Sequence, residues 1–482
     1  MHSSPVFAAS SLCKPSPDGE FIATLISSTL SVRSVASLRL VRVAKLATAS
    51  DGPINNLVWA PSSAKVLVST SLQIHVFSAA DLAFHASAHI SASPAGKPAA
   101  VFFGSRDTEV LVCSALNFSV LNLTTSEIVE ISSPKFYQPS TAERGFCLRP
   151  GTGHLALLTR AGGKDLVSLH HPATRQVQGS WAPDTVDAQG LAWTPDGRWL
   201  LLWDSPAHGH RLSVYTADGQ HFRTVDATSL SLGHCSASEK ALELGVKACQ
   251  PSPNSDMCAI GDYSRGVTLL NTRWWRQIMR LLHPSAIIPS DTVQVWQEQM
   301  MAIGDQHPDQ PFLRATLSIA PAGPSPGTKQ TSPGCSLAAF DASSTLLATR
   351  LDDSPSTTWI WDVAAGELRA VLMFHSHVTF SWHPANAELL LISCQDEARR
   401  GTSFVWDPLS EGPIPVKALP TAGRRQVSWV SRQTESPELL VADAERYVLL
   451  SLSESNPWPG SEPDTDDDSS ALDDTFFFKH QP

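Results

Sequence analysis

Short apolar runs of five or six residues recur along the chain, each reached through a polar turn. The clearest unit is Leu191–Phe222, LAWTPDGRWLLLWDSPAHGHRLSVYTADGQHF. Leu191–Trp193 is an apolar lead-in. Thr194-Pro195-Asp196-Gly197 is a turn, because proline presets φ and glycine accepts φ > 0. Trp199–Trp203 has strand length, Asp204–His210 is polar, and Leu212–Tyr215 alternates like a half-buried strand before the next turn at Asp218-Gly219. The pattern predicts β-hairpins and no long helix.

The unit repeats. Aligned on the position of Pro195, the equivalent turn residues are Pro17, Pro61, Ser105, Pro150, Pro195, Pro253, Ala342, Pro384 and Ser431, with spacings of 44, 44, 45, 45, 58, 89, 42 and 47 residues. A period of 40–45 residues with four strands per unit is that of WD40 propeller blades. One four-stranded sheet cannot bury both of its faces, whereas blades stacked around an axis bury one another. The Trp-Asp pair that ends the third strand of such blades stands in register at Trp361-Asp362 and Trp406-Asp407. Trp203-Asp204 falls on a second strand instead. The expected architecture is all-β, a single closed ring of about nine four-stranded WD40-type blades over residues 5–452. Pro5–Ser11 is expected to supply the last blade's outer strand.

Two stretches break the period. Val225–Lys247 reads as a longer loop. Residues 283–334 read as an insertion carrying two strand-like pieces, Thr292–Gln297 and Phe312–Ala320, and no hidden blade. Residues 453–482 read as a disordered acidic tail. That tail carries −7 of the formal net charge of −11, so the body is close to neutral and offers no nucleic-acid footprint.

Candidate chemistry is sparse. Eight cysteines without paired spacing read as buried thiols. His170-His171 and the His208/His210 pair read as solvated loop histidines, not a metal site. Gly151-Thr-Gly-His lacks the Lys-Ser/Thr of a phosphate loop. No catalytic residue, metal or cofactor is expected. No apolar run is long enough for a membrane span, and Met1–Ser10 lacks the features of a secretory signal. Two stretches suit partner binding. Arg273-Trp274-Trp275-Arg276 sets two indoles between two cations, the residue types that dominate binding hot spots. The other reading of it is one tryptophan packed between blades with solvated arginines. Phe476, Phe477 and Phe478 stand in the acidic tail as a docking motif or as residues without a role.

The ordered units resemble the centrosomal and spindle-pole WD-repeat proteins of the WD-repeat-protein-eight type, also described as WD repeat containing, antisense to p-seventy-three. Ser10–Ala23 and Leu30–Val41 resemble that family's opening, and Leu191–Asp204 with Leu212–Gln220 its middle unit. Gly266–Ile278, Leu281–Ile287 and Thr292–Glu298 resemble the unit before its insertion, and Leu337–Val363 the unit after it. The third and fourth units match loosely and the tail has no counterpart. The resemblance implies a non-enzymatic scaffold of the cytoplasmic cytoskeleton, at the spindle pole body or microtubule-organising centre. It implies binding to a coiled-coil anchoring protein, help in holding a minus-end-directed kinesin-14 at microtubule minus ends, and no nucleic acid or membrane partner. The alternative from fold alone is a propeller module in another assembly, such as translation initiation.

Overall fold

A computed structural model describes residues 1–46, 53–81, 84–90, 100–230, 245–299, 311–323, 333–399, 401–417, 425–432, 436–453 and 456–458. Nine antiparallel sheets follow one another along the chain, at residues 13–45, 54–89, 100–132, 146–181, 188–226, 246–282, 335–373, 378–415 and 426–451. All nine aligned turn positions lie between the first and second strands of these sheets. The second strands are the most completely buried, as in Glu109–Cys113, Leu155–Ala161 and Glu438–Ala442. The fold is one nine-bladed β-propeller. First strands touch between most successive blades, and the first strand of blade 1, Cys13–Pro15, touches the first strand of blade 9, Gln426–Val430, so the ring closes on itself.

The closing strand comes from the N-terminus but begins earlier than Pro5. His2–Ser3 and Phe7–Ala8 both pair with Arg446–Ser451, the third strand of blade 9, and supply its outer edge in two pieces. Ser4 sits between them, its N–H donating to the Leu449 carbonyl at 2.9 Å and its hydroxyl accepting the Leu449 N–H at 3.0 Å.

Two devices recur between blades. Trp59 and Trp382 end the first strands of blades 2 and 8, and Trp429 is next to last in that of blade 9. Each donates its indole N–H to a first-strand carbonyl of the preceding blade, at Lys14 (3.0 Å), Ala339 (2.8 Å) and Ser381 (3.1 Å). The second device uses the turn between first and second strands. Its last residue needs positive φ, which glycine supplies at Gly19 and Gly197. Ser63, Ser255 and Ser344 take it elsewhere, at φ 63°, 63° and 65°. Each of these serines accepts the turn N–H of the preceding blade, from Asp18, Asp196 and Asn254 at 3.0, 2.9 and 3.1 Å. The conformational cost of a non-glycine residue there is offset by a bond that glycine cannot make.

The insertion is not a blade. Its strand Gln294–Glu298 lies parallel to Glu367–Met373, the outer strand of blade 7, and Phe312–Arg314 pairs antiparallel on its far side, giving a six-stranded sheet. Arg399 of blade 8 clamps it through Glu298. His283, where the insertion begins, is 4% exposed and reaches over the whole insertion to blade 7. Its Nε2 lies 2.8 Å from the Thr349 hydroxyl, which accepts the Trp361 indole N–H at 2.9 Å. The imidazole stands edge-on to both Trp359 and Trp361.

Burial holds the His283 pKa down to about 4. A histidine neutral in the folded ring and ordinary in the unfolded chain stabilises fully above pH ~6.5 and loses that contribution as pH falls toward 4, about 3 kcal/mol in all. His283→Gln should therefore show a shallower fall in urea-unfolding stability between pH 6.5 and 4 than the unmodified chain. Parallel pH profiles would refute this.

Candidate partner-binding surface

The third and fourth strands of several blades are joined by the same turn. A side chain at its first position caps the next N–H groups, and the residue four positions on adopts positive φ. Asn271 Oδ1 accepts the N–H of Arg273 at 2.8 Å, and the Asn271 carbonyl accepts that of Trp275 at 2.7 Å. Asp362 caps Ala365 in the same way before Gly366, which is the structural work of the Asp in this Trp-Asp pair. The positive-φ position turns its side chain back toward the preceding blade. Leu38 (φ 59°) joins the apolar cluster shared with blade 9, Arg175 (φ 55°) reaches blade 3, and Trp275 (φ 53°) reaches blade 5.

This turn decides the Arg273–Arg276 stretch. Trp275 is 1% exposed and packs at right angles to Trp199, ring centroids 6.3 Å apart. It is part of the core between blades 5 and 6, so its place as a partner-binding residue is corrected to a packing one. Trp274 is 58% exposed, with the Arg273 guanidinium 5.5 Å from its ring centroid. Arg223 of blade 5 donates to the Trp274 carbonyl at 3.2 Å, and exposed Phe222 lies tilted against Trp199, ring centroids 4.5 Å apart. Arg276 and Ile278 are exposed beside them. Three cations and two exposed aromatic rings thus meet on the rim where blades 5 and 6 adjoin. Phe222, Arg223 and Ile278 were not singled out from sequence. The signal was the fixed interval from the capping Asn271 to the positive-φ residue. Phe476, Phe477 and Phe478 lie outside the described residues.

The histidines depart from expectation. His170 is fully buried, its Nε2 2.8 Å from the Ser168 hydroxyl and its Nδ1 2.9 Å from the Arg175 carbonyl. His210 is buried as well, and His208 is exposed. These side chains satisfy polar groups inside the blades because the strands extend further than the polar residues around them suggest. Among the described residues no group of three or more His, Cys, Asp or Glu is placed to hold a metal ion. Among the described residues no helix is long and apolar enough to cross a membrane. Among the described cysteines, Cys13, Cys113, Cys258, Cys335 and Cys394 are buried, and Cys147 and Cys249 partly so.

Two cavities stand out. One of about 570 Å³ opens between blades 8 and 9 and gathers Ser10, Ser393, Cys394, Ser403, Arg425 and Asp443. Burial pushes the Cys394 thiol up to about 11, which keeps it protonated and a poor nucleophile. The other, about 430 Å³, is a slot between the insertion strand Phe312–Arg314 and the blade 8 turn at Leu409–Glu411, with Trp296 and Gln294 between.

No family model matches the chain. It is 27% identical over 440 residues to the mouse WD repeat-containing protein WRAP73, covering 85% of this chain and 88% of that protein. An uncharacterized WD repeat-containing protein of Schizosaccharomyces pombe is 21% identical, covering 93% of this chain and 91% of its own. Among solved structures, a crystal structure of a eukaryotic initiation factor superposes with a TM-score of 0.54 at 11% identity, over 86% of this chain and 88% of that one, a likeness of fold alone. The chain is thus a nine-bladed propeller similar, over most of its length, to WD repeat-containing proteins such as mouse WRAP73.

Proposed function

We propose that this propeller is a non-enzymatic scaffold of the spindle pole or centrosome. In this reading it binds a coiled-coil anchoring protein and helps hold a minus-end-directed kinesin-14 at microtubule minus ends. The observation that carries it is the relation to WRAP73 along nearly the full length of both chains. The Arg273–Trp274 rim is the first surface assigned to the anchoring protein. It is exposed, amphipathic and rigidly held by the turn beneath it, as hot-spot residues are. Ring loops and rims carry binding in propellers because the blades fix their positions without needing their side chains for folding.

The test is affinity purification of the tagged protein from dividing cells, with live imaging of the same tag. A polar focus and an eluate containing the coiled-coil anchor and a kinesin-14 are expected. Diffuse signal with ribosomal proteins in the eluate would replace this reading with a translation-type assembly. Trp274→Ala should leave urea stability within about 0.5 kcal/mol, as for other surface changes, and weaken capture of the anchor at least tenfold, which is about 1.4 kcal/mol. Unchanged capture would remove the rim from the interface.

A further inference from the structure

The strand Phe312–Arg314 is the free edge of the six-stranded sheet: among the described residues it pairs only with Gln294–Glu298. Ala315 donates to the Val295 carbonyl at 2.8 Å and Gln299 to the Pro311 carbonyl at 2.9 Å. The alternation of an antiparallel ladder then turns the N–H and C=O groups of Phe312 and Arg314 away from the sheet, into the slot. The far wall of the slot is the turn at Leu409–Glu411, seated on Trp296 through Gly412, where a Cβ would stand 2.9 Å from the indole and φ is 95°. Leu409 is 92% exposed and Leu313 61%. Leu409 and Leu317, just beyond the strand, are the two most exposed large apolar side chains among the described residues. An edge whose main chain is unpaired among the described residues, flanked by exposed leucines, suits an added strand.

We propose that the slot is occupied by this chain's own C-terminal segment, Leu472–Lys479 (LDDTFFFK), adding its Thr-Phe-Phe-Phe portion to the Phe312–Arg314 edge. The match is chemical. Threonine and phenylalanine suit a strand, and alternate phenylalanines would cover Leu313 and Leu409. The slot is charged at both walls, Arg314 on one and Glu411 on the other. The segment is acidic before the phenylalanines, at Asp473 and Asp474, and basic after them, at Lys479. It is also within reach. Trp458 is held at the junction of blades 9 and 1 by its N–H bond to the Val35 carbonyl at 3.0 Å. From Trp458 to Thr475 the chain advances 17 residues, an extended reach of up to about 55–60 Å. Only blades 9 and 8 intervene, each about 10 Å thick where sheets pack. The basic rim at Trp274 is four blades from Trp458 along the ring and is not the segment's target in the same molecule.

A tether of this length supplies an effective concentration on the order of 1 mM, so an intrinsic affinity of about 0.1 mM fills the slot about nine-tenths of the time. The experiment is amide hydrogen exchange on the full chain, comparing the unmodified protein with F476A/F477A/F478A, whose changes lie outside the ring. The amides of Phe312 and Arg314 should exchange about tenfold more slowly in the unmodified chain, and Leu313→Asp should remove the difference without any change in the tail. Equal exchange in both chains overturns the proposal. So does protection that fades on dilution, which would assign the slot to a second copy's tail.

Discussion

Trp458→Ala will cost the ring about 3–5 kcal/mol, the usual range for truncating a buried tryptophan, although the residue lies beyond the last blade. Trp458 is 5% exposed and packs with Ala9, Cys13, Val35 and Leu38 on one side and Val430, Leu440 and Tyr447 on the other. Its indole N–H donates to the Val35 carbonyl. It therefore bridges the first and last blades at the seam where the propeller closes. The same seam holds the N-terminal strands, with Phe7 against Tyr447 at 5.2 Å and under the Arg33 guanidinium at 4.2 Å. Any other pair of neighbouring blades is joined by continuous chain. Here the chain runs from the outer edge of blade 9 into blade 1, but that edge is held to the rest of blade 9 only by contacts, so loss of a contact opens the ring instead of loosening one blade. Removing residues 1–9 should lower the urea midpoint at least as far as Trp458→Ala. It should also promote self-association, because it bares the Arg446–Ser451 edge. The exposed Trp274→Ala change is the matched control. A Trp458→Ala protein within about 1 kcal/mol of the unmodified chain, on the same urea curve, would show that the seam does not limit stability.

Much of this architecture was legible because a propeller repeats locally. Each turn lies between two strands that are adjacent in sequence, so the period from Pro17 to Ser431 located all nine blades. A tryptophan near the end of the first strand recurs in four of the nine blades, at Trp59, Trp193, Trp382 and Trp429. Its meaning, a bond to the preceding blade at three of the four, appears only once neighbours are in place. Non-local pairing was hidden for the opposite reason. Nothing near Gln294 announces that its strand will run parallel to Glu367–Met373, some seventy residues on, because parallel partners share no turn. His283 was visible as a His-Pro pair, but the insertion separates it from the Thr349 and Trp361 it serves. The two adjacent tryptophans could not be told apart by composition. One backbone angle at Trp275 sends one indole into the core and leaves the other on the rim.

Arg175→Met should be among the most damaging single changes, at about 3–5 kcal/mol, because it strands a buried carboxylate. Arg175 occupies the same positive-φ position as Trp275, two blades earlier, with a charge in place of an indole. Its Nε and Nη2 donate to the two carboxylate oxygens of Glu109, both at 2.5 Å, with the side chains 2% and 9% exposed. Two more of its N–H groups donate to the Ser105 hydroxyl and the Gly153 carbonyl at 2.8 Å each. The guanidinium thus ties the second strand and turn of blade 3 to the turn of blade 4. Gly104 leaves the room this needs, since a Cβ there would lie 2.0 Å from Glu109 Oε2. The planar guanidinium fork fits this arrangement and an ammonium does not, so Arg175→Lys should recover only part of the loss. The cost belongs to the stranded charge more than to the bond. Glu109→Gln combined with Arg175→Met should therefore be less destabilising than Arg175→Met alone, a coupling that a double-mutant cycle in urea reads directly. Additive losses would mean that Arg175 acts by packing alone. A coupling of several kcal/mol would place the main bond between blades 3 and 4 in a single ion pair, at a position that blades 1 and 6 fill with the apolar Leu38 and Trp275.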